Sequence, residues 1–233
     1  MRQNITQSAL LVIDMEQGFV SPDSPHCVPM AAGIVPAVSR AVKTARRKGI
    51  PVFFVKRIYR YDGSDVELSR WEGWQGGGRA LGPGSEGPSS AQAPEGLRPQ
   101  PGDYTIIKPR WSAFFQTELD LILRRLGVRT VILAGTATPN CVRTTAYDAL
   151  ALDYNVVLLS DGTASRTEDI QRANMEDMAA VGAHVMSVAE LESYDEHAIP
   201  DPLPDIRADR DACGLAPEHF GWEDGNVTVT DRW

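Results

Sequence analysis

The feature that most narrows the folds open to this chain is an alternation of two periods. Short apolar runs are separated by segments in which apolar residues recur every three or four positions. The first run, Ala9 to Ile13, is bounded by polar residues and reads as a buried strand. Ile34, Val38, Ala41, Val42 and Ala45 then share one helical face, Gly49 stands where a left-handed C-terminal cap is wanted, and Pro51 opens a second strand, Val52 to Val55. A third strand, Tyr104 to Lys108, precedes a helix that Thr117 is placed to cap and that Gly127 ends. Thr130 to Ala134 gives a fourth strand, Thr138 to Asp153 a helix, and Val156 to Leu159 a fifth strand. Ser165 and Glu168 have capping-box spacing for a helix running to Gly182, and Ala183 to Val188 is a sixth strand.

Parallel strands need crossover connections, and helices between strands supply them, so the pattern predicts an α/β fold. The expected architecture is a three-layer α/β/α, Rossmann-like arrangement around a mostly parallel six-stranded sheet. Two regions depart from it. Residues 58 to 103 are rich in Gly, Pro and Ser and read as a long loop or lid, while the acidic, Pro-punctuated residues 191 to 233 form a tail. The tail carries Phe220, Trp222 and Trp233, which argues against simple disorder and suggests docking on a neighbouring subunit, hence a homo-oligomer. Residues 1 to 190 are expected to form the main domain.

A formal net charge of −8, with basic residues interspersed among acids, disfavours nucleic acid as a partner. No apolar run is long enough to span a bilayer and the N-terminus lacks the order of a secretory signal, so no membrane partner and a cytoplasmic location are expected. The three cysteines, Cys27, Cys141 and Cys213, have no metal-ligand spacing.

In open α/β sheets ligands bind beyond the carboxyl ends of the strands, so the residues just after each apolar run are the functional candidates. Asp14 ends the first, Arg57 follows the second, Lys108 ends the third and Cys141 lies shortly beyond the fourth. Thr138 and Pro139 suit the cap and first position of a helix, putting Cys141 in its first turn, where the helix dipole favours the thiolate. Taken singly, Cys141 reads as a small buried hydrophobe, Asp14 as a cap and Lys108 as a surface ion pair. Together they supply a base, a cation and a nucleophile at one sheet edge.

Three segments, LLVIDMEQGF (Leu10 to Phe19), KPRWSAFFQTELDLILRRLGV (Lys108 to Val128) and LAGTATPNCVRTTAYDAL (Leu133 to Leu150), make the chain resemble the isochorismatase-like cysteine hydrolases over roughly residues 8 to 190. That superfamily includes nicotinamidases, ureidoacrylate amidohydrolases, N-carbamoylsarcosine amidases and biuret hydrolases. The resemblance implies Cys141 as nucleophile, Asp14 as general acid/base and Lys108 as their charge stabiliser. It also implies a cis Thr136–Ala137 peptide and an oxyanion hole made by the backbone N–H groups of Ala137 and Cys141. The expected reaction is hydrolysis of an amide, carbamoyl or ureido C–N bond of a small molecule, with no cofactor.

The chain departs from the family's common DMQNDF by having Glu16, Gln17 and Gly18 after Met15. Nicotinamidases hold a metal with an Asp and several His between the second and third strands, and residues 56 to 107 contain no His; His26, His184, His197 and His219 lie elsewhere. No metal is therefore expected. Phe19 and Trp111 are candidate pocket walls, as are Trp71 and Trp74. Arg57 either grips a substrate carboxylate or pairs with an acid such as Asp62 or Asp65. The competing functions are an isochorismatase-type vinyl-ether hydrolase, which needs no cysteine, and a non-catalytic binding protein on the same fold.

Overall fold

In the computed structural model the described residues are 7–194, 199–214, 219–223 and 226–230, the last two ranges by their backbone alone. β1 (Ser8–Ile13) is followed by a short helix α1 (Gln17–Val20), a long helix α2 (Ala31–Arg47) and β2 (Val52–Lys56). A wall segment holding α3 (Trp71–Gly76) leads to β3 (Tyr104–Ile107), α4 (Leu119–Arg125), β4 (Thr130–Thr136) and α5 (Arg143–Ala151). Then come β5 (Asn155–Ala164), α6 (Glu168–Ala180), β6 (His184–Met186) and α7 (Val188–Ser193).

The six strands are all parallel and lie in the order β3-β2-β1-β4-β5-β6. Winding reverses between β1 and β4, which opens a crevice beyond their carboxyl ends. β1 shows why its sequence lacks polar alternation: both of its faces are covered. Leu10 and Val12 pack with Ile34, Val38 and Val42 of α2, whereas Ala9, Leu11 and Ile13 pack with Leu119 and Leu123 of α4 and Ala146 of α5. Each such side chain, fully buried, contributes about 1.5–3 kcal/mol relative to exposure. The expected three layers are present.

The strands start within one residue of the apolar runs, but several ends differ. β4 runs on to Thr136 and β5 to Ala164, because a register shift between Leu133 and Gly135 lets the two ends keep pairing. The sixth strand is only His184–Met186, since Ser187 and Glu190 form a reciprocal capping box that starts α7. α6 is capped by Thr167, which accepts from the Ile170 N–H; the expected box of Ser165 and Glu168 does not form. Thr117 accepts from the Leu119 N–H, yet α4 begins at Leu119 with Glu118 at its cap position. The expected helix from Thr138 is a π-helical turn, Thr138–Val142, followed by α5. Thr138 does not cap it; its hydroxyl donates to Ala164 O at 3.0 Å and bolts the end of β4 to the end of β5.

Residues 58 to 103 are largely irregular, as a long loop would be, but they are packed. Tyr59, Val66, Trp74, Leu81 and Leu97 belong to the same buried cluster as α2. Gly18 N donates to Ser90 O and Tyr59 N to Leu81 O, so backbone bonds tie the segment to α1 and to itself.

The chain divides into two compact units, residues 1–200 and 201–233. The second contains α8 (Leu203–Ala212) and an antiparallel pair, β7 (His219–Glu223) and β8 (Asn226–Thr230). Trp233 and the side chains of Phe220 and Trp222, on which the docking expectation rested, lie outside what is described. Among the described residues no helix is long and apolar enough to cross a membrane.

Candidate active site

Asp14, Lys108 and Cys141, far apart in sequence, meet beyond the ends of β1, β3 and β4. Asp14 follows β1 in a left-handed conformation (φ 49°), a region Asp tolerates better than most residues. Lys108 directly follows β3, where its N–H donates to Lys56 O at 3.0 Å. Its ammonium donates to Cys141 Sγ at 3.4 Å and Arg110 O at 3.1 Å, and pairs with Asp14 Oδ2 at 2.9 Å. All three residues are buried, with Lys108 fully so.

The ends of the strands are locked around this trio. Gly135, at φ 113°, approaches β1 so closely that a Cβ there would stand 2.0 Å from Ile13 O. The Thr136–Ala137 peptide is cis, as the resemblance implied. Thr145 in α5 donates to Cys141 O at 2.7 Å and accepts from Ala113 N at 3.0 Å, which ties the cysteine's helix to the segment after Lys108.

Electrostatics correct one expectation. Burial pushes the Cys141 thiol up to about 12, Asp14 pushes the same way, and Lys108 opposes them. The helix-start dipole therefore does not hold a resting thiolate, because desolvation is the larger effect. Burial also works against the Lys108 ammonium, but the facing charge of Asp14 opposes it, and Lys108 is held above its ordinary value. The resting site is thus an Asp14–Lys108 ion pair beside a neutral thiol. Moving the thiol proton to Asp14 leaves a Lys108–Cys141 pair, with no net charge created in the buried space.

A cleft of about 340 Å³ opens onto Asp14, Ala137 and Cys141. Phe19 forms part of its wall, as the sequence suggested. Trp111 does not line this cleft and packs instead against the cluster on the opposite face of the sheet. Arg57 reaches the cleft, but its guanidinium is paired with Glu67, and its backbone N–H donates to Glu16 Oε1 at 2.9 Å. Its partner is Glu67, not Asp62 or Asp65.

Sequence reasoning missed His26, Asn140, Arg70 and Arg166 in the cleft wall. Among the described residues neither Arg70 nor Arg166 is ion-paired, and the Tyr59 hydroxyl and the charge of Glu67 favour the charged form of Arg70. The available signal for Arg166 was its place just past β5; Arg70 had none, since it lies in the irregular wall. Glu16 was also passed over. Burial and then the charge of Asp14 raise its carboxyl well above the usual range, and its Oε2 has no hydrogen-bond partner among the described residues. Among the described residues no group of three or more His, Cys, Asp or Glu is placed to hold a metal ion.

Residues 8–190 match the family description "Isochorismatase domain". The chain belongs to the isochorismatase family. It is 40% identical over 192 residues, 82% of this chain and 97% of the other, to an Arabidopsis thaliana protein named "Probable inactive nicotinamidase". A ureidoacrylate amidohydrolase of Azorhizobium caulinodans is 28% identical over 217 residues, covering 80% of this chain and 89% of that protein. Among solved structures, an isochorismatase family protein from Desulfovibrio vulgaris matches with a TM-score of 0.75 and 39% identity, over 87% of this chain and 99% of its own. Membership accords with the doubly wound sheet. In this isochorismatase-family chain the trio lies at the reversal of winding, where ligand sites of such sheets are found.

Proposed function

We propose that the chain is a cysteine hydrolase that cleaves an amide, carbamoyl or ureido C–N bond of a small molecule, with Asp14, Lys108 and Cys141 as its catalytic triad. The observation that carries this reading is the single ammonium of Lys108, within bonding reach of both Asp14 and Cys141 inside a buried cleft. Asp14 takes the thiol proton as Sγ attacks the carbonyl carbon. The N–H groups of Ala137 and Cys141 receive the oxyanion. Collapse breaks the C–N bond, Asp14 protonates the departing amine, and a thioester-type intermediate remains on Cys141. Water then attacks while Asp14 accepts its proton; the C–S bond breaks and the proton returns to sulfur. No cofactor or metal enters any step.

Arg70 and Arg166 support an anionic substrate. Arg57 is paired with Glu67 and Lys108 with Asp14, whereas these two guanidinium groups form no ion pair among the described residues, although the charge of Glu67 is felt at Arg70. A carboxylate on the substrate matches them, a role that the sequence had suggested for Arg57.

A non-catalytic reading has one point in its favour, the relative whose name calls it inactive. Against it stands the complete trio. A vinyl-ether hydrolase would leave Cys141 without a task. The test is ammonia release from a panel of carbamoyl, ureido and carboxamide acids, with Cys141→Ala as the control. Release that is absent throughout, or equal in the variant, rejects the triad.

A further inference from the structure

A second cavity, of about 270 Å³, adjoins the catalytic cleft, and the two share Phe19, His26 and Arg70 as wall residues. Its remaining walls, Tyr59, Ser69, Gly73, Trp74 and Leu81, all come from the segment between β2 and β3. The rings are not free to collapse into the space. Trp74 Nε1 donates to Ala80 O at 3.0 Å, Tyr59 donates to Glu67 at 3.0 Å, and the Tyr59 and Trp74 rings meet edge to face at 6.0 Å. Their polar ends are thus occupied, which leaves apolar ring surface to face the cavity. One cationic group, Arg70, stands on the wall common to both compartments.

We propose that this second cavity is a substrate subsite that takes a planar apolar group. The substrate is then a carboxylated ureido or amide compound bearing an aromatic substituent, for example an N-carbamoyl aromatic amino acid. The reacting carbonyl lies at Cys141, the carboxylate at Arg70 and the ring between Phe19, Tyr59, Trp74 and Leu81. Concave sites that combine apolar walls with a few placed polar groups are how small molecules are oriented. The assignment of the carbonyl rests on the hydrolase reading above, whereas the occupancy of the cavity by a ring does not require turnover.

The test is calorimetric binding of 3-phenylpropionate and propionate to the intact chain. Wild type should bind the aromatic acid at least about tenfold more tightly, because its ring leaves water and the carboxylate is common to both. Gly73 lines this cavity, and a Cβ there meets nothing within 4 Å, so a larger side chain can be added at this wall without a clash. Gly73→Leu should abolish the preference, and Ser69→Leu is a second filling variant on the preceding turn should the first fold poorly by circular dichroism. Equal affinities in wild type, or a preference that survives in both filled variants, overturn the proposal. A preference in binding with no ammonia from any carbamoyl or amide compound would reject the hydrolase reading and leave the subsite standing. In turnover, the ratio of kcat/KM for N-carbamoylphenylalanine over N-carbamoylglycine should fall about tenfold in Gly73→Leu.

Discussion

At the residue scale the site is governed by how few charges its burial permits. Lys108 is fully buried, and its ammonium is held by Asp14, Cys141 and Arg110 O. Removing it in Lys108→Ala leaves a buried carboxylate unpaired and should destabilise the fold by about 3–5 kcal/mol, read by urea unfolding near neutral pH. A loss below about 1 kcal/mol would mean that the pair is not buried in solution. The Cys141 thiol gives a second test. Because burial raises it to about 12, its alkylation by iodoacetamide should keep climbing with pH past 9.0, the ordinary thiol value. A plateau below 9.0 in peptide-resolved mass spectrometry would restore the pre-formed thiolate that helix position alone suggests.

Glu16 carries the opposite lesson for stability. Its carboxyl titrates well above the ordinary 4.5 in the fold, so between that value and its raised one the folded state holds a proton that the unfolded chain has lost. Stability from this group is present below 4.5 and is lost as pH rises through the folded value. Glu16→Gln should therefore melt at increasingly higher temperature than wild type as pH is raised from 4.5. A difference independent of pH would show that Glu16 is charged when folded. The catalytic candidates were legible in sequence because each follows a strand; the state of Glu16 was not, since it depends on burial and on Lys56, Lys108 and Asp14 gathering around it.

At the scale of elements, apolar runs located every strand of the main sheet because strands covered on both faces have no other way to be written. Caps were less legible. Several Ser and Thr stand near each helix start, and the one that caps is decided by the incoming chain direction, so Thr167 serves α6 in place of Ser165. The π-helical turn at Cys141 was invisible for the same reason, since its residues also suit an ordinary first turn. The close approach of β4 to β1 requires Gly135. Gly135→Ala would set a methyl group 2.0 Å from Ile13 O, backbone against backbone, at a left-handed φ. That variant should lose activity and several degrees of Tm, whereas Gly33→Ala, where a Cβ meets nothing within 4 Å, should keep both. Equal behaviour of the two would show that the β1–β4 junction can relax.

At the scale of the whole molecule, charge is distributed against the average. The chain has a formal net charge of −8, yet its cleft presents Arg70 and Arg166 without carboxylate partners among the described residues. Loss of either contact is worth about 1.5–3 kcal/mol, so Arg70→Ala and Arg166→Ala should each raise KM by roughly 10 to 150-fold on a carboxylated substrate and far less on its uncharged amide. Arg57→Ala should instead lower Tm and impair both substrates alike, because Glu67 would be left unpaired inside. Steady-state kinetics on the two substrates separates these cases.

With Cys141 as the proposed nucleophile and Asp14 as its proposed base, turnover should pass through a covalent intermediate on Cys141. Intact-protein mass spectrometry, followed by peptide mapping, of enzyme quenched in acid during turnover of a ureido or amide acid tests it directly. The predicted result is an adduct of the acyl or carbamoyl mass on the peptide containing Cys141 in wild type, and none in Cys141→Ala or Asp14→Asn. Turnover with no adduct on Cys141, or an adduct that forms equally fast in Asp14→Asn, would contradict it.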